Sequence, residues 1–330
     1  MYTIAIPSFR RPKVLKNKTL KLLESYNTDP KKILIFVADK EQYDIYKKEL
    51  SINEFGKKIK IVVGERGIKN IRNFMANYFK EKEKIFYIDD DISHIFEVLN
   101  KIPEYDRKNN KMRRLKDLNK FITDSFKIAK LKGCDNWGIY PVENPYFMKP
   151  TTDDIDFYTT TKLNYIMGGF TGVVNNKKAE VRTIDDKEDY ERTIKYYLKD
   201  GVVLRFNNVC VRTRCYTEPG GMQTNRTKER IHDSAVYLTE KYPLLCTLNT
   251  KKKSGFTEVR LRDRRFSKDK KILSKINCDN LKKNKTKKLV KIRIEDMKIP
   301  KCNTNKLVKI KIEDMKIPKC KNGMKYLNPK

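Results

Sequence analysis

The sequence predicts an α/β protein with a mostly parallel sheet and crossover helices. Three observations predict it. Short apolar runs alternate with segments of helical period, the apolar runs end in polar or acidic residues, and the intervening segments are long enough to bridge parallel neighbours. TIAIP (3–7) is a short buried strand. From Leu15 to Tyr26, apolar residues at 15, 20, 22, 23 and 26 mark a helix face. KILIFVAD (32–39) is a strand ending in an acid, and Glu41 to Leu50 suits a helix. KIVVG (60–64) is a strand stopped by Gly64, Ile68 to Phe79 is helical, and IFYID (85–89) is the next strand. Ligands on such sheets sit outside the carboxyl ends of the strands, where Pro7-Ser8, Asp39, Gly64 and Asp89 all fall. These ends are expected to converge on one crevice.

Composition adds an appendage. The 330 residues (39.1 kDa) are 38% hydrophobic and 35% charged, so part of the chain is expected to stay outside a core. The net charge of +33 favours a polyanionic partner, nucleic acid or an anionic membrane surface. Residues 250–330 hold 28 Lys and Arg against 8 Asp and Glu, and so carry most of the excess. They also contain a tandem repeat with a period of 18 residues, KTKKLVKIRIEDMKIPKC (285–302) then NTNKLVKIKIEDMKIPKC (303–320). Two such units bury little core. The expectation is a folded domain over 1–250 and a basic tail over 251–330, with a soft boundary near Lys251 to Gly255. No apolar run is long enough to span a membrane. MYTIAIPSFRRP lacks the features of a signal peptide, so the expected location is intracellular. Seven cysteines without a C-x-x-C pair read as reduced structural thiols.

Chemistry concentrates in KIFYIDDDISHIF (84–96), where a buried strand runs into Asp89, Asp90 and Asp91. Carboxylates this close repel one another unless a cation relieves them. Mg²⁺ or Mn²⁺ accepts carboxylate oxygens and fills its remaining positions with water and substrate phosphates. The triplet therefore suggests a metal carrying a diphosphate; by itself, an acidic cap or an Arg/Lys-paired turn weighs equally. Upstream, VGERGIKNIRNFMANYF (63–79) sets Gly64, Gly67, Lys69 and Arg72 at the opening of a helix, a natural anion site, although taken alone the stretch reads better as an ordinary loop and exposed helix face. Tyr140, Phe147, Tyr158 and Tyr165 interleave with polar residues and read either as groove or as core.

In combination, IPSFRRPKVLKNKTLKLL, ILIFVADKEQYDIYKKEL, VVGERGIKNIRNFMANYF and IFYIDDDI resemble nucleotide-sugar glycosyltransferases of the GT-A fold, more narrowly the TET-associated glycosyltransferase family of phages, large DNA viruses and some eukaryotes. The resemblance continues in GGFTGVVNN (168–176), DKEDYERTIKYYLKDGVVLRFNNVCV (186–211) and PGGMQTNR (219–226), covers roughly residues 1–240 and does not reach the repeats. It implies a GT-A-like (Rossmann-like) sheet flanked by helices. Asp89 and Asp91 resemble the D-x-D pair that holds the metal on the sugar-nucleotide diphosphate, with Asp90 between them. Pro7, Ser8, Arg10, Asp39, Arg72 and Asn73 match nucleotide-lining positions. Gly168 and Gly169 resemble the acceptor-side loop, and Glu188 and Asp189 the x-E-D motif whose aspartate is the base of inverting enzymes. His232 stands where the fold often supplies a metal ligand; the other histidine, His94, follows the acids. A viral source would place the protein in the cytoplasm or nucleus of the host.

The implied reaction transfers a hexose, with UDP-glucose or another UDP-hexose as donor, to the hydroxyl of a 5-hydroxymethylpyrimidine in DNA. The positive charge fits a DNA acceptor independently. Two other readings stay open: a glycosyltransferase acting on a glycan, protein or small molecule, and a non-catalytic nucleic-acid-binding protein on the same scaffold.

Overall fold

The computed structural model describes residues 1–99, 108, 110–151, 158–213, 220–221, 226–249 and 255–263. The tandem repeat and most of the expected tail lie outside the described residues. Strands β1 (Thr3–Pro7), β2 (Ile33–Val37), β3 (Lys60–Val63) and β4 (Lys84–Ile88) form where the apolar runs predict them. They pair in parallel in the order β3-β2-β1-β4.

Three further strands complete this half of the chain's order. They are β5 (His94–Val98), β6 (Met112–Arg114) and β7 (Asn136–Ile139). Beyond them come β8 (Thr159–Thr160), β9 (Phe170–Val174), β10 (Leu204–Phe206) and β11 (Val209–Arg212). The main sheet continues from β4 as β9-β7-β10-β8. β9 lies antiparallel to both β4 and β7, and β10 is parallel to β7 and antiparallel to β8. The sheet is thus mixed but still mostly parallel, as expected, with the antiparallel pairings confined to β8 and β9. β5 instead pairs with β6 and β11 in a small antiparallel sheet. A last hairpin joins β12 (Cys246–Leu248) to β13 (Val259–Leu261) and spans the position where the composition changes.

Both faces of the main sheet are buried, which is why its strands read as continuous apolar runs. Ile4, Ile6, Ile33, Ile35, Phe86 and Ile88 face one core, and Ala5, Phe36, Ile85 and Tyr87 face the other. The first core is closed by α1 (Pro12–Leu15), a π-helical turn (Lys16–Leu20), α2 (Lys21–Ser25) and α3 (Lys40–Leu50), with the short α4 (Glu54–Lys57) following. The second is closed by α5 (Ile68–Tyr78), while α6 (Leu118–Leu131) returns to the first. α7 (Glu188–Asp200) and α8 (Lys228–Lys241) complete the second layer through Ile194, Tyr196, Tyr197, Ala235 and Leu238. Cys134, Cys210 and Cys246 are buried free thiols, as expected of structural cysteines.

Trp137 anchors the junction of the parallel and antiparallel halves. Its fully buried indole is ringed by Phe86, Phe121, Phe126 and Phe206 at centroid distances of 5.8, 5.9, 5.4 and 6.0 Å. It lies across Gly172 of β9, where a Cβ would stand 2.2 Å from the ring. Gly172→Ala is therefore expected to lower stability by about 1–3 kcal/mol, the usual cost of overpacking. Urea denaturation checks this, and an unchanged midpoint would mean that the indole can move aside.

Candidate active site

The carboxyl ends of the parallel strands open on a crevice of about 1030 Å³. The structure brings Pro7, Ser8, Gly67, Arg72, Asp89, Asp90, Asp91, Gly168, Gly169, Glu188 and Asp189 to its walls. These residues are widely separated in sequence, and the crossover topology unites them at one sheet end.

The acid turn after β4 is held from beneath by Thr19. This fully buried hydroxyl donates to the Asp89 carbonyl (2.7 Å) and accepts from the Ile92 N–H (3.0 Å). Thr19 lies in the π-helical turn, an irregularity that often marks functional positions. No sequence signal foretold it.

The three acids then face different partners. Asp89 Oδ1 accepts from Arg72 Nη2 (2.9 Å), and Asp91 Oδ1 accepts from the Thr213 hydroxyl (2.8 Å). Asp90 turns to the β1 end, taking the Ser8 hydroxyl at 2.5 Å and Arg11 Nη1 at 3.3 Å. Ser8 Oγ is also 2.7 Å from the Tyr46 hydroxyl. Both Asp90 oxygens are thereby engaged, so Asp90 supports the strand end.

Glu188 and Asp189 open α7 on the facing wall, and Gly168-Gly169 separates them from the acid turn. A Cβ on Gly169 would stand 2.3 Å from Asp89 Oδ2; one on Gly168 would stand 3.0 Å from Glu188 Oε1 and 3.2 Å from the Asp189 Cβ. Two residues without side chains are the condition for this approach. Arg72, 2% exposed, lies between the walls, with Nη2 on Asp89 and Nε 3.5 Å from Glu188.

The adjacent acids of α7 have opposed electrostatics. Burial alone would raise Glu188, but the guanidiniums of Arg182, Arg72 and Arg192 hold it below the usual carboxylate range. Arg182, itself buried, donates from Nε to Glu188 Oε2 at 2.9 Å. Asp189 is raised, by burial first and then by the Glu188 charge, against hydrogen bonds from the Tyr165 hydroxyl and the Gly168 N–H. Acids whose proton affinities are pushed apart in this way are suited to separate roles. Tyr165 stacks on Tyr190 at 4.3 Å, and both rings line the crevice.

Several expected residues stand elsewhere. Arg10 adopts a left-handed backbone (φ 57°) and is exposed, and Arg11 enters the crevice in its place. Asp39 caps α3 by accepting from the Gln42 N–H (2.9 Å). The Lys69 N–H donates to Asp185 Oδ1 (3.0 Å). Asn73 brackets the Arg182 backbone, donating to its carbonyl (3.0 Å) and accepting from its N–H (2.7 Å). His232 is exposed on α8 beside the Thr257 hydroxyl (3.0 Å) and does not line the crevice. His94 stacks on Phe96 in β5. Of the four aromatic candidates, Tyr165 alone lines the crevice.

A divalent cation fits the acid turn. Asp89 is 39% exposed at its side chain, and Asp89 Oδ2 and Asp91 Oδ2 carry no hydrogen bond from a described residue. No group of three or more His, Cys, Asp or Glu gathers in ligating geometry among the described residues. Two carboxylates completed by substrate oxygens and water suit Mg²⁺ or Mn²⁺. Where the sequence suggested His232 as third ligand, the fold directs that side chain to solvent.

No family model and no curated protein matches the chain. Solved structures similar to it include TarS 1-349 of S. aureus in complex with UDP-GlcNAc, at 13% identity, TM-score 0.42, covering 72% of this chain and 66% of that one. GalNAc-T7 with UDP, GalNAc and Mn²⁺ is similar at 13% identity and TM-score 0.43, over 74% of this chain and 50% of that one. A mannosyltransferase of Pyrobaculum calidifontis with GDP-Man and Mn²⁺ is similar at 10% identity and TM-score 0.40, over 62% and 53%. The likeness to these nucleotide-sugar enzymes is one of fold.

Two outcomes follow from the site geometry. Gly169→Ala is expected to swing the Asp89 carboxylate aside and weaken Mn²⁺ binding in the presence of UDP by at least about tenfold, as second-shell disturbances do. Calorimetric titration reads this, and wild-type affinity would show that the close approach is dispensable. Burial pushes Asp90 up to about 7, against Ser8 and Arg11. The folded state therefore keeps a proton that the unfolded chain releases near its ordinary pKa of about 3.9. The associated stability is full below that value and lost as pH rises through 7. With EDTA present, Asp90→Asn should gain stability relative to wild type between pH 4 and 8, by up to about 4 kcal/mol. Parallel pH profiles of the two proteins would show that Asp90 does not titrate in this way.

Proposed function

We propose that this chain is a metal-dependent glycosyltransferase that moves a hexose from a nucleotide sugar, with UDP-glucose the first donor to test, onto the hydroxyl of a 5-hydroxymethylpyrimidine in DNA. The observation that carries it is the approach of two unlike acidic groups across Gly168-Gly169: Asp89 on one side, Glu188-Asp189 on the other.

Asp89 and Asp91 would hold the metal. When bound, it would supply positive charge to the diphosphate leaving group. Arg72 orients Asp89 and brings a buried cation to the same end of the crevice. Asp189, with its raised proton affinity, would take the proton from the acceptor hydroxyl as oxygen attacks the anomeric carbon. Tyr165 fixes the Asp189 carboxylate by donating to Oδ2. Glu188, held anionic by Arg182, fixes the start of α7. Attack from the face opposite the diphosphate inverts the anomeric configuration.

The DNA acceptor is supported by the basic chain and by the sequence resemblance. A glycan acceptor is the second reading, favoured by the stacked Tyr165–Tyr190 pair, whose faces suit a sugar as well as a base.

The protein would be incubated with Mn²⁺, UDP-glucose and DNA containing 5-hydroxymethyluracil or 5-hydroxymethylcytosine, and the nucleosides analysed by mass spectrometry. A hexose on the modified base is expected with wild type. It should fall by at least about 100-fold in Asp89→Asn, Asp91→Asn and Asp189→Asn, the scale of losing a metal ligand or general base. Donor hydrolysis without transfer would redirect the search to other acceptors. Absence of both across a panel of nucleotide sugars would overturn the enzymatic reading.

A further inference from the structure

The cations on the crevice are of two kinds. Arg11 is paired with Asp90, Arg72 with Asp89 and Glu188, and Lys187 with Glu258. Arg226 is paired with Asp186, and Arg230 with Asp185 and Asp186. Arg66, exposed at the mouth, forms no ion pair with a described carboxylate, and nor does nearby Arg10. Both guanidiniums instead lie over one ring, that of Phe9, at 5.1 Å for Arg10 and 5.4 Å for Arg66.

The backbone is arranged to present this cluster. Arg10 occupies the left-handed region (φ 57°), which costs a residue with a side chain about 1–2 kcal/mol. The conformation is held by hydrogen bonds on both sides. The Arg10 N–H donates to Gln42 Oε1 (2.9 Å), and the Arg11 N–H donates to the Tyr46 hydroxyl (2.9 Å). The Phe9 carbonyl accepts from the Gly221 N–H (3.2 Å). The strain turns Arg11 inward to Asp90 and leaves Arg10 outside beside Phe9. Unusual backbone maintained by its surroundings tends to mark sites of function.

We propose that Phe9, Arg10 and Arg66 form a docking site for the phosphodiester backbone of a nucleic-acid strand at the crevice mouth. A guanidinium held over an aromatic ring by cation–π attraction can still offer N–H groups to phosphate oxygens, and the contact limits the freedom lost on binding. The ring spaces two such forks at the entrance. Deeper in the crevice, the other cations among the described residues are each paired with a carboxylate, so the unpaired cations stand at the rim. The backbone is held at the rim, and the uncharged hydroxyl-bearing base is the part that reaches Asp189. Contacts of this kind position a strand without reading its sequence. The inference rests on the proposed DNA acceptor and adds where that acceptor is gripped.

The test is the salt dependence of binding, measured with the full chain and no sugar nucleotide. Anisotropy of a labelled single-stranded oligonucleotide is followed over about 50 to 200 mM salt. Each phosphate contact on a single strand contributes about 0.7 to the slope of log affinity against log salt. Arg66→Ala is expected to lower the slope by about 0.7, and Arg66→Ala with Arg10→Asn by about 1.4, on every oligonucleotide sequence alike. Asn tolerates the left-handed backbone, so the fold is preserved. Unchanged slope and affinity in the double variant would overturn the proposal. A second arm measures UDP-glucose binding by Arg66→Ala without DNA, expected at wild-type strength. Lost donor affinity with intact DNA binding would assign the cluster to the donor's phosphates and also overturn it. Because the first arm reads DNA binding alone, failure of sugar transfer leaves its result standing.

Discussion

The site depends on one buried guanidinium. Arg72 has almost no access to water, and a cation so placed is tolerable only beside anions. It meets Asp89 from the turn after β4 and Glu188 from α7, so that two distant segments are joined through one charge. Removing either partner would leave Arg72 with one anion instead of two, and the loss of Glu188, the more deeply buried of them, is expected to cost more. The glycines at 168 and 169 are the steric side of the same constraint, since any side chain there would keep the two acidic segments apart.

From that contact the division of labour follows. Arg182 and Arg72 hold Glu188 anionic, while burial first and the Glu188 charge second give Asp189, one residue on, a raised proton affinity. Asp89 and Asp91 each retain an oxygen without a hydrogen bond from a described residue, whereas Asp90 spends both on Ser8 and Arg11. A run of three identical residues thus meets different partners, because successive side chains on a turn leave the backbone in different directions. The mouth differs again: Arg66 and Arg10 rest on Phe9, and the deeper cations are paired.

The sequence by itself determined the first four strands, the helices between them and the position of the acids at a strand end. These are local properties: apolar runs must be buried, and charges must stop where burial stops. It also brought Gly168, Gly169, Glu188 and Asp189 into consideration through motif order. Only the tertiary structure decided that β9 enters antiparallel between β4 and β7, since an apolar strand buried on both faces reads alike in either direction. It likewise decided that Arg11 rather than Arg10 turns inward, because a single positive φ selects between neighbours of identical type. Thr19, Thr213 and the Tyr165–Asp189 contact span 70, 122 and 24 residues of sequence, distances over which no periodicity carries information. His232 lies at a plausible place in the motif order, but the face of α8 on which it falls looks to solvent, and the orientation of a helix face is fixed by packing.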